Sequence, residues 1–269
     1  MPSTLATVTG SLEGRTVLIT GVSRRAGIGA AVAARLAADG AALFLTGWAP
    51  HDVEQSLGGS GDAGPAIAAE VRSKGGQAQY LPFDLADASA PAAVVAAAVA
   101  AFGQVDGLVL NHARSSRQSL LSVTAAELDH SFAVNARSGL LLARHFVEQR
   151  RRETGGRIVV LTSGQYQGAL IGELPYGASK AVLQQFTRSL AVELAPRHIT
   201  VNCVNPGPTD TGWATGDLYR KVKESVPAGR WGRPDDAARL IEWLISDEAE
   251  WVTGQTIAAD GGWSARGAG

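Results

Sequence analysis

The sequence predicts an α/β chain with one doubly wound parallel sheet and helices on both of its faces. Three observations lead there. Short, apolar, β-branched runs alternate with helix-forming stretches along almost the whole chain, a rhythm that builds parallel sheets through βαβ crossovers. The first such run is followed by a glycine-rich turn and then an alanine-rich helix, which sets the turn between strand and helix of a βαβ unit. The chain has 269 residues, 45% of them hydrophobic and 18% charged, enough to cover such a sheet on both sides.

Residues 1–13 are polar and read as a flexible N-terminus, leaving 14–269 as a single domain. Residues 16–20 (TVLIT) have the continuous apolar character of a fully buried strand. The turn GVSRRAGIG at 21–29 leads into a helix over 30–38, and 41–46 is the second strand. Gly47 to Asp52 reads as a loop, and the glycine-rich 58–64 as a flexible surface insertion before a helix over 65–74. A third strand over 77–83 ends at Asp84, a helix spans 88–102, and a fourth strand over 105–110 runs into Asn111-His112-Ala113-Arg114. Residues 124–152 read as one long helix, opened by a capping box of Thr124 and Glu127 and carrying Asn135 at mid-length. Arg150, Arg151 and Arg152 suit the negative end of its dipole as a solvated C-terminus. Then come a strand over 158–161, a helix over 175–195, a strand over 198–204 and the loop NPGPTDT at 205–211. Residues 212–231 have weak helical character, 234–246 is a helix opened by Asp235 and Asp236, and 256–258 is the last strand.

Composition sets limits on function. A net charge of −1 asks for neither nucleic acid nor an anionic membrane as partner. The single cysteine, Cys203, excludes an intrachain disulfide and a multi-cysteine metal site, and its strand-like setting makes it a buried structural thiol. No apolar run is long enough to span a bilayer and no secretory signal pattern opens the chain, so a cytoplasmic enzyme or binding protein is the expectation.

The chemistry gathers around residues 163–180. Tyr176 and Lys180 stand four apart on one helix face. Free tyrosine titrates near pKa ~10, and a nearby cation lowers that value, so this tyrosine can exchange a proton with a carbonyl oxygen near neutral pH. Ser163 lies at the end of a strand, where its hydroxyl can bond the same oxygen. The glycines of the first turn let the backbone approach a pyrophosphate, and the N–H groups of the following helix face it.

In order, TGVSRRAGIG, Asp84, Asn111, Asn135, Ser163, YGASK and NPGPTDT resemble the short-chain dehydrogenase/reductase family from about Gly14 to Gly262, with Ser163 thirteen positions before Tyr176. The chain looks closest to bacterial members called 3-oxoacyl-carrier-protein reductases. The resemblance implies a Rossmann-type fold and reversible reduction of a carbonyl to an alcohol by hydride transfer from a nicotinamide dinucleotide. It implies Tyr176 as acid/base, with Lys180 lowering its pKa and holding the nicotinamide ribose. Ser163 would orient the carbonyl, and Asn135 would hold a relay water. Gly21, Gly27, Ile28 and Gly29 would form the pyrophosphate turn, and Asp84, Leu85, Asn111, His112 and Ala113 the adenosine side. Pro206, Gly207, Thr209 and Thr211 would line the nicotinamide carboxamide. Family members form dimers or tetramers through their two long central helices, so a homo-oligomer is expected.

The chain departs from the family pattern at three places. Five residues, not three, separate Gly21 from Gly27, so the turn bulges and carries a basic residue. Leu110-Asn111-His112-Ala113 replaces Asn-Asn-Ala-Gly and sets His112 near the cofactor. Gly164-Gln165 replaces a small hydroxyl residue, so Gln165 is expected to face the substrate, with Tyr166 beside it. Ser23 and Arg24 match the pair of NADP-dependent members, and no carboxylate follows the second strand until Asp52, so NADP(H) is favoured over NAD(H). Arg24 is the first choice of 2′-phosphate ligand and Arg25 the second. Trp213, Leu218, Tyr219, Val222 and Trp231 are expected to form an apolar lid at 208–231 over a small-molecule or carrier-bound carbonyl substrate. The rival readings are an NAD-dependent alcohol dehydrogenase, a lyase or epimerase with tightly held cofactor, and a non-catalytic dinucleotide-binding regulator.

Overall fold

The computed structural model describes residues 11–57, 61–150 and 155–266. Seven strands form one sheet: β1 (Thr16–Ile19), β2 (Ala42–Leu45), β3 (Ala78–Tyr80), β4 (Gly107–Leu110), β5 (Gly156–Leu161), β6 (Ile199–Asn205) and β7 (Thr256–Ala258). Every pairing is parallel and the order is β3-β2-β1-β4-β5-β6-β7. The order reverses between β1 and β4, and the crevice outside the carboxyl ends of strands at such a point is where this architecture binds ligands.

Side chains alternate across the strands, and each face has its own core. Val17 and Ile19 of β1 and Leu43 and Leu45 of β2 pack against Val32 and Leu36 of α1 (Ile28–Ala38) and Ile241 and Leu244 of α9 (Pro234–Ile245). Leu18 and Phe44 face the other way, toward Val94 of α4 (Ala90–Phe102), Leu142 and Phe146 of α6 (Ser138–Gln149), and Leu183 and Phe186 of α7 (Leu174–Leu194). Cys203 is buried in this second core, and burial pushes its thiol up to about 11. Among the described residues, no helix is long and apolar enough to cross a membrane.

The structure corrects four expectations. Residues 1–10 lie outside the described residues, but 11–13 are not frayed: Leu12 is fully buried, and its N–H donates to Asp39 O at 3.1 Å. Residues 47–57 are not a plain loop, because Ala49–Glu54 form α2, with Pro50 in its first turn, ahead of α3 (Ala63–Ser73). Residues 58–60 of the expected insertion lie outside the description. The long helix from 124 is interrupted: α5 (Ala125–Phe132) passes through a π-turn, Ala133–Arg137, into α6. Half of its capping box exists, since Thr124 Oγ1 accepts from Glu127 N at 3.2 Å while the Glu127 carboxylate clasps Arg114 instead, at 2.9 Å on both oxygens.

Arg150 is not solvated either. Its guanidinium is buried, donates to Val105 O at 3.3 Å and Asp106 O at 3.4 Å, and lies 5.5 Å from the Phe146 ring centroid. Arg151 and Arg152 lie outside the described residues.

Candidate active site

Two adjoining clefts open at the carboxyl edge of the sheet. The first, of about 340 Å³, is lined by the glycine turn (Gly21, Ser23, Arg24, Gly27, Ile28), the end of β2 with α2 (Thr46 to Asp52), Phe83 to Leu85, Asn111 to Ser115, and Tyr176 and Lys180. The second, of about 880 Å³, shares Arg24, Ile28, Tyr176, Pro206 and Thr211 with it, and adds Ser163, Gly164, Gly207 to Thr209, Trp213 and Trp263. Tyr176 stands at their junction.

The turn is built for close approach. Gly21 has φ +72, and a Cβ there would lie 2.7 Å from Asn111 Nδ2 and 2.8 Å from the backbone of His112. Asn111 donates to Thr20 O and Gly21 O, both at 3.0 Å, pinning the turn to the end of β4. The first turn of α1 holds no acidic side chain, so its unpaired N–H groups face the cleft with a net positive dipole end. A pyrophosphate fits that donor set. Asp84 accepts from Ala86 N at 2.9 Å and lines the same cleft with Leu85 and Ala113.

Helix α2 forms the far wall, and the sequence gave it no role. Asp52 Oδ1 lies 3.0 Å from Arg24 Nε, Asp52 is 6% exposed, and its Oδ2 is buried without a hydrogen-bond partner. Arg24 Nη1 donates to Thr211 O at 2.7 Å. Arg24 therefore reaches the cleft as expected, but with a carboxylate against it and a tie to the 205–211 loop. Arg25 does not line the cleft; it forms an exposed ion pair with Glu70. His51 accepts from Ser115 N at 3.2 Å, and Glu54 meets Arg114 at 3.1 and 3.2 Å, so α2 is fastened to the segment after β4.

The catalytic candidates converge as the sequence predicts, with two changes of detail. Lys180 is 3% exposed and donates from Nζ to Leu161 O at 2.7 Å; burial pushes it down to about 8. Tyr176 is not held low in this state. Burial raises it above the ordinary phenol value, the Ser163 hydroxyl works against that rise, and Glu173 adds to it. Asn135 sits in the π-turn, 2% exposed. It accepts from Arg114 N at 2.6 Å and donates to Arg114 O at 2.9 Å and to Ser179 Oγ at 2.8 Å. It thus joins the segment after β4 to α7, the helix that carries Tyr176 and Lys180.

His112 turns inward from the cofactor side. Its Nδ1 lies 2.7 Å from Thr20 Oγ1, and its Nε2 lies 3.0 Å from Val134 O and 2.8 Å from Ser138 Oγ. A carbonyl only accepts, so Nε2 carries the proton and Nδ1 accepts from Thr20. Burial first, then the charge of Lys180, pushes this imidazole down to about 3, so it is a neutral strut between β1 and the π-turn.

Gln165 does not face the substrate side. Its Nε2 donates to Thr162 Oγ1 at 2.9 Å and Lys180 O at 3.3 Å. Tyr166 is largely exposed and bonds Gln167 and Asn205 instead of lining either cleft. Gly164 stands after Ser163 because a Cβ there would come 2.8 Å from the Trp263 ring. Trp263 lines the second cleft with Arg117, Leu170, Glu173 and Arg266, none of which the sequence reading picked out. Trp213 does line it, donating from Nε1 to Thr209 O at 2.9 Å and meeting Trp231 edge-on at 5.3 Å. Trp231 stacks on Tyr219 at 4.9 Å, and α8 (Gly216–Ser225) supplies that ring.

Comparison with known proteins fits this geometry. The family described as enoyl-(acyl carrier protein) reductase, one branch of the short-chain dehydrogenase/reductases, matches residues 21–264. The chain is a short-chain dehydrogenase/reductase. This short-chain dehydrogenase/reductase is 40% identical to an uncharacterized oxidoreductase, YjdA, of Bacillus subtilis strain 168, over 91% of this chain and 95% of the relative. It is 35% identical to the 3-oxoacyl-[acyl-carrier-protein] reductase FabG of Aggregatibacter actinomycetemcomitans, over 92% and 98% of the two chains. Among solved structures, a short chain dehydrogenase from Burkholderia cenocepacia J2315 in complex with NADP superposes with a TM-score of 0.83 at 33% identity, covering 93% of this chain and 98% of that one. The chain is thus an oxidoreductase that binds a nicotinamide dinucleotide.

Proposed function

We propose that this enzyme reduces a carbonyl to an alcohol, reversibly, with NADP(H) as the favoured cofactor. The observation that carries the reading is the convergence of Ser163, Tyr176 and Lys180 where the two clefts meet. The cofactor supplies the hydride when bound; the protein supplies position and charge. Ser163 and Tyr176 take the carbonyl oxygen, and Tyr176 gives it a proton as negative charge develops there. Lys180 at about pH 8 is poised to carry its charge toward the phenol. Asn135 keeps α7 in register through Ser179.

Arg24 is the 2′-phosphate ligand in this reading, supported by its place in the first cleft and by a neighbour solved with NADP. Asp52 against it is the one observation that favours NAD(H) as a second reading, because a carboxylate accepts from a free 2′-hydroxyl and repels a phosphate. Residues 208–231 act as the substrate lid, with Trp231 as its centre. The exposed Leu140 of α6 and Val192 of α7 suit a homo-oligomer packed through these helices.

The test is Tyr176→Phe. It keeps the ring and loses the proton, so NADPH binding, followed by nicotinamide fluorescence, stays within about twofold while turnover of a carbonyl substrate falls roughly 10²–10⁴-fold. Near-normal turnover sinks the mechanism. Tight NADH and weak NADPH binding by the parent enzyme would move the cofactor to the second reading.

A further inference from the structure

Glu173 is the unpaired acid of the second cleft. It stands at the N-cap of α7, three positions before Tyr176, which at a helix start puts both side chains on one face. Its backbone is fixed: its carbonyl accepts from Gly177 N at 2.9 Å, and the next residue, Leu174, donates to Gln118 O at 3.0 Å. Its carboxylate, by contrast, accepts no hydrogen bond and meets no cation within ion-pair distance among the described residues. The side chain is half-buried, and burial pushes it above the usual carboxylate range, offset in part by Arg117. Its charge is felt at Tyr176, raising the phenol.

A half-buried carboxylate without a donor is unfavourable unless a ligand brings one. The ligand here is the substrate, because Glu173, Ser163 and Tyr176 line the same cleft. The cleft also holds the guanidinium groups of Arg117, Arg24 and Arg266, which oppose an ammonium group. A substrate anion placed close to the reacting carbonyl would meet Glu173 itself. A neutral hydroxyl satisfies both signs, since it donates to the carboxylate and keeps lone pairs for an arginine.

We propose that Glu173 selects carbonyl substrates bearing a hydroxyl within two or three bonds of the reacting carbon, and that a hydroxylated ketone, not an unsubstituted acyl chain, is the substrate class. This rests on the reading of Ser163 and Tyr176 as the pair that holds the carbonyl. The wall opposite, with Leu170 and Trp213, takes the apolar remainder of the molecule.

The experiment compares kcat/KM for 2- and 3-hydroxycyclohexanone with that for cyclohexanone, in the parent enzyme, Glu173→Leu and Glu173→Gln, with 2,3-butanedione as a carbonyl lacking any hydroxyl. The expected result is a ten- to hundredfold preference of the parent for at least one hydroxyketone. That preference falls to near unity in Glu173→Leu and is retained in part by Glu173→Gln, which still accepts a hydrogen bond. A parent enzyme that reduces butanedione and cyclohexanone as well as either hydroxyketone overturns the assignment while leaving the reductase reading intact. So does a preference that survives in Glu173→Leu. No turnover of any carbonyl, with cofactor demonstrably bound, overturns the reductase reading and this assignment together.

Discussion

Asp52→Asn is the most informative single change to the cofactor cleft. The carboxylate lies 3.0 Å from Arg24 Nε and cancels the one cationic side chain that the cleft offers near the turn. The amide has nearly the same shape and can still accept from Nε through Oδ1, so Arg24 stays in place while the pair goes from neutral to +1. A charge held on the far edge of the guanidinium stands roughly 7 Å from the lost one, and 332/(20 × 7) gives about 2 kcal/mol per unit charge. Salt and partial exposure of the cleft reduce this to about 1 kcal/mol, or roughly a fivefold change in affinity. The assay is paired titration with 2′,5′-ADP and 5′-AMP, which differ only in the 2′-phosphate. The ratio of their affinities should shift roughly five- to tenfold toward 2′,5′-ADP in Asp52→Asn, and the gain should shrink with added salt. An unchanged ratio, or one shifted toward 5′-AMP, would show that Arg24 does not present its charge to the 2′ position.

Three more outcomes follow from the same contacts. Asn135→Ala leaves the Arg114 N–H and C=O and the Ser179 hydroxyl without their partner, and at roughly 1–3 kcal/mol per unpaired buried group the fold should lose about 2–4 kcal/mol, read from urea midpoints; a loss under about 0.5 kcal/mol contradicts the buried network. His112 is held neutral down to about pH 3, while in the unfolded chain it takes a proton near pH ~6.5, so its contribution is complete above the unfolded value and is lost as pH falls toward 3. His112→Gln should therefore flatten stability against pH between about 4 and 6.5, measured as denaturant midpoints, and an unchanged slope refutes the assignment. Trp231→Ala removes the ring that Trp213 and Tyr219 both touch, so KM for a carbonyl substrate should rise about tenfold or more while cofactor affinity holds; an unchanged KM removes 208–231 from substrate binding.

The sheet was legible because its central strands are buried on both faces and so read as unbroken apolar runs, as with TVLI and GRIVVL. The placement of Tyr176, Lys180 and Ser163 was legible because it follows from strand ends and helix spacing. The partners of Arg24 were not. Asp52 is 28 positions away and acts only because α2 forms, and the one local signal for that helix, Pro50 in its first turn, was overlooked among loop-like neighbours. Gln165 and His112 went astray for a different reason: sequence position sets which element a residue is on, but the hydroxyls of Thr162 and Thr20 decide which way each side chain turns. Arg150 shows the same limit, since a basic helix end looks solvated until a strand end offers its carbonyls.

The π-turn at Ala133–Arg137 also fixes something about how this chain can change over generations. A π-turn accommodates one residue more than the α-helix around it, and one residue of α-helix is about 100° of rotation. Leu142, Ala143 and Phe146 point into the core only because that extra residue has already turned α6. Deleting a residue between 133 and 137 would give a smoother helix and swing those three side chains away from the sheet. The bearing of α6 and the seat of Asn135 are therefore a single inherited unit, and a lineage that discards one discards the other.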